Sequence, residues 1–286
     1  MAVFAELSYG GTSVRMHGAA TGADAIHLAS DGIEGWWSSP DGKVSMTERG
    51  GGDGAHAVDG SRVLYSARTV TVHLFALAGS RDRVLALAGL VSSAMGRIVR
   101  LRVVDGASDT YVEGYAECEF EAARHENAMV GTLTVVCPDP RRLSTAAHGA
   151  YMSPYASDTD GLQWSDGGGL LIPLAYGAGG DDIRNVCTVE NRGTATAYPR
   201  IVAEGDMDGL VITDNGTGRQ IAYSLPVTAP VTFDSLTETA SVNGVDTSRS
   251  LASRGFPTVP PGGTLTLSLH ARGTGTVEVV SHDTYI

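Results

Sequence analysis

The sequence predicts a mainly β protein of two domains, the first carrying one α-helix and the second an all-β sandwich. Three observations lead there. Period-two alternation of apolar and polar residues recurs in both halves, as at residues 69–74 and 264–269. The 37 glycines fall in short turn-like clusters rather than in one tract, which suits many strands joined by tight turns. Only one stretch has helical spacing.

Taken in order, residues 69–74 place Val70, Val72 and Leu74 on one face. Residues 80–95 then read as the helix. Ser80 is its predicted N-cap and Asp82 an acid in its first turn, with an apolar stripe of Val84, Leu87, Val91 and Met95 and a stop at Gly96. Residues 97–103 alternate again, turning Arg100 and Arg102 away from Leu101 and Val103. Residues 117–122 alternate likewise, with Glu117, Glu119 and Glu121 opposite Cys118, Phe120 and Ala122. The arginine and glutamate stripes are expected side by side, each pair contributing about 0.2–1 kcal/mol, though the acidic stripe reads equally as a solvated or subunit-facing surface. The prolines of Cys137-Pro-Asp-Pro-Arg-Arg142 cannot continue a central strand, so the first domain closes there. Domains of 1–142 and 143–286 follow, the second opening on a loose entry segment rich in Ser, Ala, Asp and Gly. An apolar run resumes at 170–174. Beyond Asn185 the DMDG (206–209), DNGTG (214–218) and PPGG (260–263) runs mark turns between strands.

Composition excludes several functions. Acids outnumber bases 32 to 20, and Lys43 is the one lysine, so phosphate neutralisation of nucleic acid is not expected. The cysteines, Cys118, Cys137 and Cys187, are odd in number and far apart, with no C-x-x-C pair, and read as free packed thiols. No apolar run approaches the ~20 residues that cross a bilayer, and the N-terminal residues lack the pattern of a secretory signal. No membrane insertion is expected.

The stretch Arg49-Gly-Gly-Gly-Asp53-Gly-Ala-His56 fails as a phosphate loop, because no Lys follows it and no helix begins there. Asp53 and His56 lack a third metal ligand at useful spacing. Asp158–Gly161 and Asp206–Gly209, read as 158–161 and 206–209, open like calcium loops but lack the Glu at the twelfth position. No nucleophile elbow occurs, and no two carboxylates stand out as a glycosidase pair. Trp36, Trp37 and Trp164 serve either as sugar-stacking platforms or as packing. The residues select no catalytic centre, metal or cofactor.

The order of these features resembles the distal tail protein (Dit) family of long flexible-tailed, siphovirus-type bacteriophages. It is carried by the 36–40 segment and the glycine loop ending at His56, the strand through 68–72 and the helix from Ser80. The 137–141 corner, the Val-Glu-Asn-Arg-Gly-Thr run at 189–194 before Pro199, the DNGTG and PPGG turns and the final Asp283-Thr-Tyr-Ile286 complete it. The chain has no room for an inserted carbohydrate-binding module. The resemblance implies a tail-tube-like N-terminal β-barrel or sandwich with a helix, and a C-terminal galectin-like β-sandwich. It further implies a hexameric ring at the distal tail tip of the virion, assembled from protein made in the host cytoplasm. Such a ring joins the tail tube protein to the tail-tip fibre or tail-associated lysin and to receptor-binding proteins, and passes DNA without binding it specifically. Trp36, Trp37, Arg49, Asp53 and His56 would then belong to an assembly arm reaching a neighbouring subunit. Glu117, Glu119 and Glu121 would face the lumen, where an acidic wall repels phosphate. A carbohydrate-binding adaptor and a β-sandwich glycan hydrolase are the competing readings.

Overall fold

The computed structural model describes residues 3–19, 24–56, 63–121, 125–154 and 185–286. Trp164, Ala122, the 158–161 calcium-like run and the apolar run at 170–174 lie outside the described residues. Two compact units result, one of Met1–Ala146 with Tyr285–Ile286 and one of Ala147–Thr284.

In the first unit, alternation closes a sheet on itself. Its strands are β1 (Phe4–Tyr9), β2 (Thr12–His17), β3 (Ala25–Glu34) and β4 (Arg68–Leu77), then, after helix α1 (Arg81–Ser92), β5 (Ile98–Asp105), β6 (Ser108–Phe120) and β7 (Ala128–Cys137). Pairing runs β6-β5-β1-β2-β3-β4-β7 and returns to β6, a closed seven-stranded barrel. Closure removes every free strand edge. Among the described residues the short β2–β3 contact is the only parallel pairing between strands. Leu7, Val70, Val72, Leu74, Leu101, Leu133 and Val135 fill the interior, each fully buried. These include the inward positions expected of residues 69–74.

Strand β6 changes partner along its length. Beyond β5, its other edge meets the start of β8 (Arg142–Met152) at Thr110 and Tyr111, and β7 from Tyr115 to Phe120. Gly114 sits at this changeover, where a Cβ would lie 2.2 Å from the Val136 carbonyl oxygen. Only glycine fits that approach.

The helix is shorter than its apolar spacing predicts. It ends at Ser92, so Met95 falls outside it and is half exposed, while Val84, Ala88 and Val91 are its buried residues. Ser80 stands at the N-cap position in extended conformation but makes no side-chain cap bond. Tyr9 of the barrel intervenes at the other end. Its hydroxyl donates to the Leu90 carbonyl at 2.5 Å and lies 2.7 Å from Ser93 Oγ, satisfying a carbonyl the last turn leaves open.

The second unit contains β9 (Val186–Asn191), β10 (Arg200–Asp214), β11 (Gln220–Tyr223), β12 (Val231–Asp234), β13 (Thr239–Val242), β14 (Val245–Asp246), β15 (Leu251–Arg254) and β16 (Gly263–Tyr285), the last strand ending one residue beyond it. The long strands β10 and β16 pair along most of their lengths and belong to two sheets. Their first and second halves respectively carry β12, β13 and β14, while the opposite halves carry β11 and β15 on one side and β9 on the other. One core of Ile201, Ala203, Ile212, Phe233, Leu267 and Val279 lies between them. Midway along the β10–β16 pair, Gly205 (φ +132°) meets Gly275 and Gly273 (φ +101°) meets Asp206, crossing points with no space for a Cβ.

That crossing corrects one expectation. DMDG does not separate two strands; residues 206–209 lie inside β10, where the register shifts between Asp208 and Val211. Asp-Gly here makes a bulge rather than a turn. DNGTG does form a turn, with Asp214 Oδ1 accepting from the Gly216 amide at 2.9 Å.

Candidate assembly site

Between β3 and β4 the described residues of the chain form an arm that pairs with itself through isolated bridges, Gly42 with Tyr65 and Glu48 with Ala55. Departure occurs at Gly35, whose φ of +75° and 2.1 Å Cβ clearance to the Thr69 carbonyl oxygen require glycine. Near the barrel, Ser66 N donates to Asp41 O at 2.8 Å and Lys43 N to Leu64 O at 2.6 Å. Further out, His56 N donates to Thr47 O at 2.9 Å and Arg49 N to Gly54 O at 3.0 Å, closing a turn through Gly50–Gly54, residues 50–54. Arg49, Asp53 and His56 are all exposed on this outer turn. Among the described residues no group of three His, Cys, Asp or Glu side chains has metal-binding geometry. Trp37, Met46 and Leu64 project apolar surface to solvent, 57%, 65% and 66% exposed. A lone hairpin is marginally stable in water, and its open edges and apolar side chains invite a partner.

The two tryptophans at the root take opposite roles. Trp36 is fully buried in the barrel core, and Trp37 lies outside it. Arg68, the first residue of β4, fastens the root. Its Nη1 donates to the carbonyl oxygens of Gly35 (2.6 Å), Trp36 (3.2 Å) and Ser38 (2.9 Å), and its Nε to that of Pro140 (2.7 Å). One side chain thus holds both the departing arm and the corner after β7. Arg142 lies beside it, its guanidinium 4.8 Å from the Trp37 ring centre, 5.8 Å from Trp36 and 6.0 Å from Tyr285. Burial, and then the neighbouring Arg142 charge, lower the pKa of Arg68; burial does the same at Arg142.

Glu117 and Glu119 are exposed at the end of β6 and Glu121 just beyond it, on the face opposite the half-buried Cys118 and Phe120. The arginines are not beside them. Arg100 pairs with Glu113 at 2.7 Å, while Arg102 forks onto Asp109 at 2.8 and 2.7 Å and reaches Glu6 at 3.3 Å. Glu117 and Glu119 instead stand opposite Thr134 and Thr132 of β7. The stripes occupy different stretches of β6, because β5 covers only its first eight residues, Ser108–Tyr115 in the 108–115 register.

No family model matches the chain, and no curated protein matches it. Among solved structures, the Dit protein (gp 19.1) of bacteriophage SPP1, a hub of the adsorption apparatus of phages infecting Gram-positive bacteria, superposes over 99% of both chains, with TM-score 0.58 and 15% identity. The chain has the Dit fold. A chain of the phage P2 baseplate in its activated conformation with calcium covers 99% of this chain and 98% of its own, with TM-score 0.54 and 9% identity. Its counterpart with strontium gives 0.54 and 8% over 98% and 97%.

Within this Dit fold, the Val-Glu-Asn-Arg-Gly-Thr run has a structural reason. Asn191 Nδ2 donates to Ala195 O at 2.8 Å, while its Oδ1 accepts from the amides of Gly193 at 2.9 Å and Thr284 at 3.1 Å. Nearby, His148 Nε2 lies 3.0 Å from Asp283 and Nδ1 3.6 Å from Glu190, at a cleft of about 460 Å³ also lined by Thr188 and Thr264. Neither Arg68 nor Arg142 stands out in the sequence. The available signal was their position, one immediately before an apolar alternating strand and one two residues after a Pro-x-Pro corner.

Proposed function

We propose that this chain is a structural hub at the distal tip of a phage tail, assembling as a ring, six copies in the simplest form. The observation that carries the reading is the match of both units to SPP1 Dit over 99% of each chain. The first unit, residues 1–142 in the sequence division, is the ring-forming, tail-tube-like part. Its arm, with Trp37, Arg49, Asp53 and His56 exposed and Trp36 anchoring the root, reaches the next subunit. Glycine at 50–52 and 54 serves chain reversal and close approach there. The second unit is the galectin-like sandwich.

In this role the protein performs no catalysis. It joins the tail tube protein to the tail-tip fibre or lysin and to receptor-binding proteins. Glu117, Glu119 and Glu121 line the lumen, and the formal charge of −12 disfavours retention of passing DNA. Negative-stain images of the concentrated, purified chain test the reading. Rings with a central hole are expected, single or back to back; fields of compact particles without a hole would count against it.

A further inference from the structure

Among the described residues, the buried arginines Arg68 and Arg142 at the arm root have no carboxylate in an ion pair with them. Arg68 and Arg142 are 2% and 7% exposed. Three of the buried donors here have no hydrogen-bond partner: Arg68 Nη2, Arg142 Nε and Trp36 Nε1. Arg68 bonds the Trp36 backbone carbonyl, and the Arg142 guanidinium lies 5.8 Å from the Trp36 ring centre, so the three donors belong to neighbouring residues. The corner's carboxylate, Asp139, is already taken by Arg141, which donates to it twice at 2.7 Å.

A buried N–H without an acceptor costs about 1–3 kcal/mol, more when its group is charged. Two adjacent guanidinium groups add mutual repulsion, which the aromatic rings around Arg142 only partly offset. Backbone carbonyls satisfy the other face of Arg68 but supply no net charge. The missing group must accept several hydrogen bonds and carry negative charge. A planar oxyanion does both, and guanidinium binds it in a two-toothed fork.

We infer that the arm root is an oxyanion-binding site, in which Arg68, Arg142 and the Trp36 indole N–H receive a carboxylate, supplied by a second copy of this chain or by a free anion. Trp37 is its cover. The ring is 57% exposed and lies over the Arg142 guanidinium, so an anion enters as Trp37 swings outward. Because Trp37 belongs to the arm, occupancy and arm position are linked. The site itself does not depend on the hub reading. A second copy has ample means to fill it, with exposed Asp41, Glu48 and Asp53 on its own arm.

The test titrates the full dilute chain with sodium sulfate and separately with sodium acetate at constant ionic strength, following tryptophan fluorescence and the thermal midpoint. If the source is a free anion, both signals change saturably, and Arg142→Met weakens the response about tenfold or abolishes it. Trp37→Ala, made at a largely exposed ring, keeps the fold and strengthens the response by uncovering Arg142, which preserves the test if Arg142→Met fails to fold. If the source is a second copy, the dilute chain responds weakly, but sulfate suppresses self-association at high concentration and Arg142→Met eliminates it. Absence of any saturable anion response, together with self-association indifferent to sulfate and to both substitutions, overturns the proposal. An anion response without any ring retains the site and sinks the hub reading alone.

Discussion

Arg68 and Pro140 are joined by a 2.7 Å hydrogen bond, the Arg68 Nε donating to the Pro140 carbonyl oxygen. Through it, the first residue of β4 grips the corner that ends the barrel, while its Nη1 holds Gly35, Trp36 and Ser38 where the arm departs. Replacing Arg68 by Met leaves four carbonyls without that donor, and the first unit is expected to lose about 3 kcal/mol. Arg68→Lys should recover little, since one ammonium cannot span both sides. Chemical denaturation checks this; losses below about 1 kcal/mol would mean that water replaces the clamp.

Gly114 and Gly50 make a paired prediction. A Cβ at Gly114 would lie 2.2 Å from Val136 O and 2.9 Å from the Cys137 Cα, whereas at Gly50 it would meet nothing within 4 Å. Gly114→Ala should cost about 2–3 kcal/mol by forcing β6 from β7, and Gly50→Ala less than about 0.5 kcal/mol. Equal unfolding midpoints for the two variants would contradict the described changeover.

How much of this was legible in sequence differs by element. The inward faces of 69–74 and 264–269 followed from alternation, since a half-buried strand permits one register of apolar side chains. The helix end did not, because Tyr9, eighty-odd positions away, bonds the Leu90 carbonyl in its last turn. Nor did the arginine and glutamate pairing. Alternation shows which residues share a face, but which strand lies alongside depends on barrel closure, and that placed Glu113 and Asp109 beside the arginines. DMDG misled because a bulge and a turn demand the same residues. Trp36 and the glycine loop drew attention to the stretch 36–56, yet the buried arginines beside it have no local signature, being defined by carbonyls brought in from separate elements.

The three thiols give a pH prediction. Burial pushes Cys137 up to about 12 and Cys118 and Cys187 up to about 11. A folded pKa above the unfolded value favours the folded state below the unfolded pKa, near 8.5, and that contribution fades as pH rises through the folded value. The urea midpoint of the wild type should therefore fall above about pH 9 more steeply than that of Cys137→Ala. Parallel curves would show that Cys137 does not contribute.

The Arg102–Asp109 fork works in the opposite direction. Its hydrogen bonds lower the Asp109 pKa, so stability from the pair is present above the unfolded carboxylate value and is lost as pH falls through the folded one. With both side chains about a third exposed, 32% and 38%, Asp109→Asn should cost no more than about 1 kcal/mol at neutral pH and nothing below the folded pKa. A cost that persists in acid would assign the effect to packing.

An arm that reaches a neighbouring subunit, as proposed, can be trapped there. Asp53→Cys places a thiol on the exposed outer turn, while the native cysteines are buried or half-buried. A short linker with a maleimide at one end and a photoreactive diazirine at the other should link copies of this variant at high concentration after illumination, and not copies of the wild type. Labelling without linkage would show that the arm tip stays on its own subunit.

The most direct measurement of the ring is the solution mass of the purified chain across a wide concentration range, ending as high as solubility permits. The account predicts a species six times the mass of the 29.6 kDa chain, or two such rings together, growing with concentration. A monomer at every concentration would contradict it.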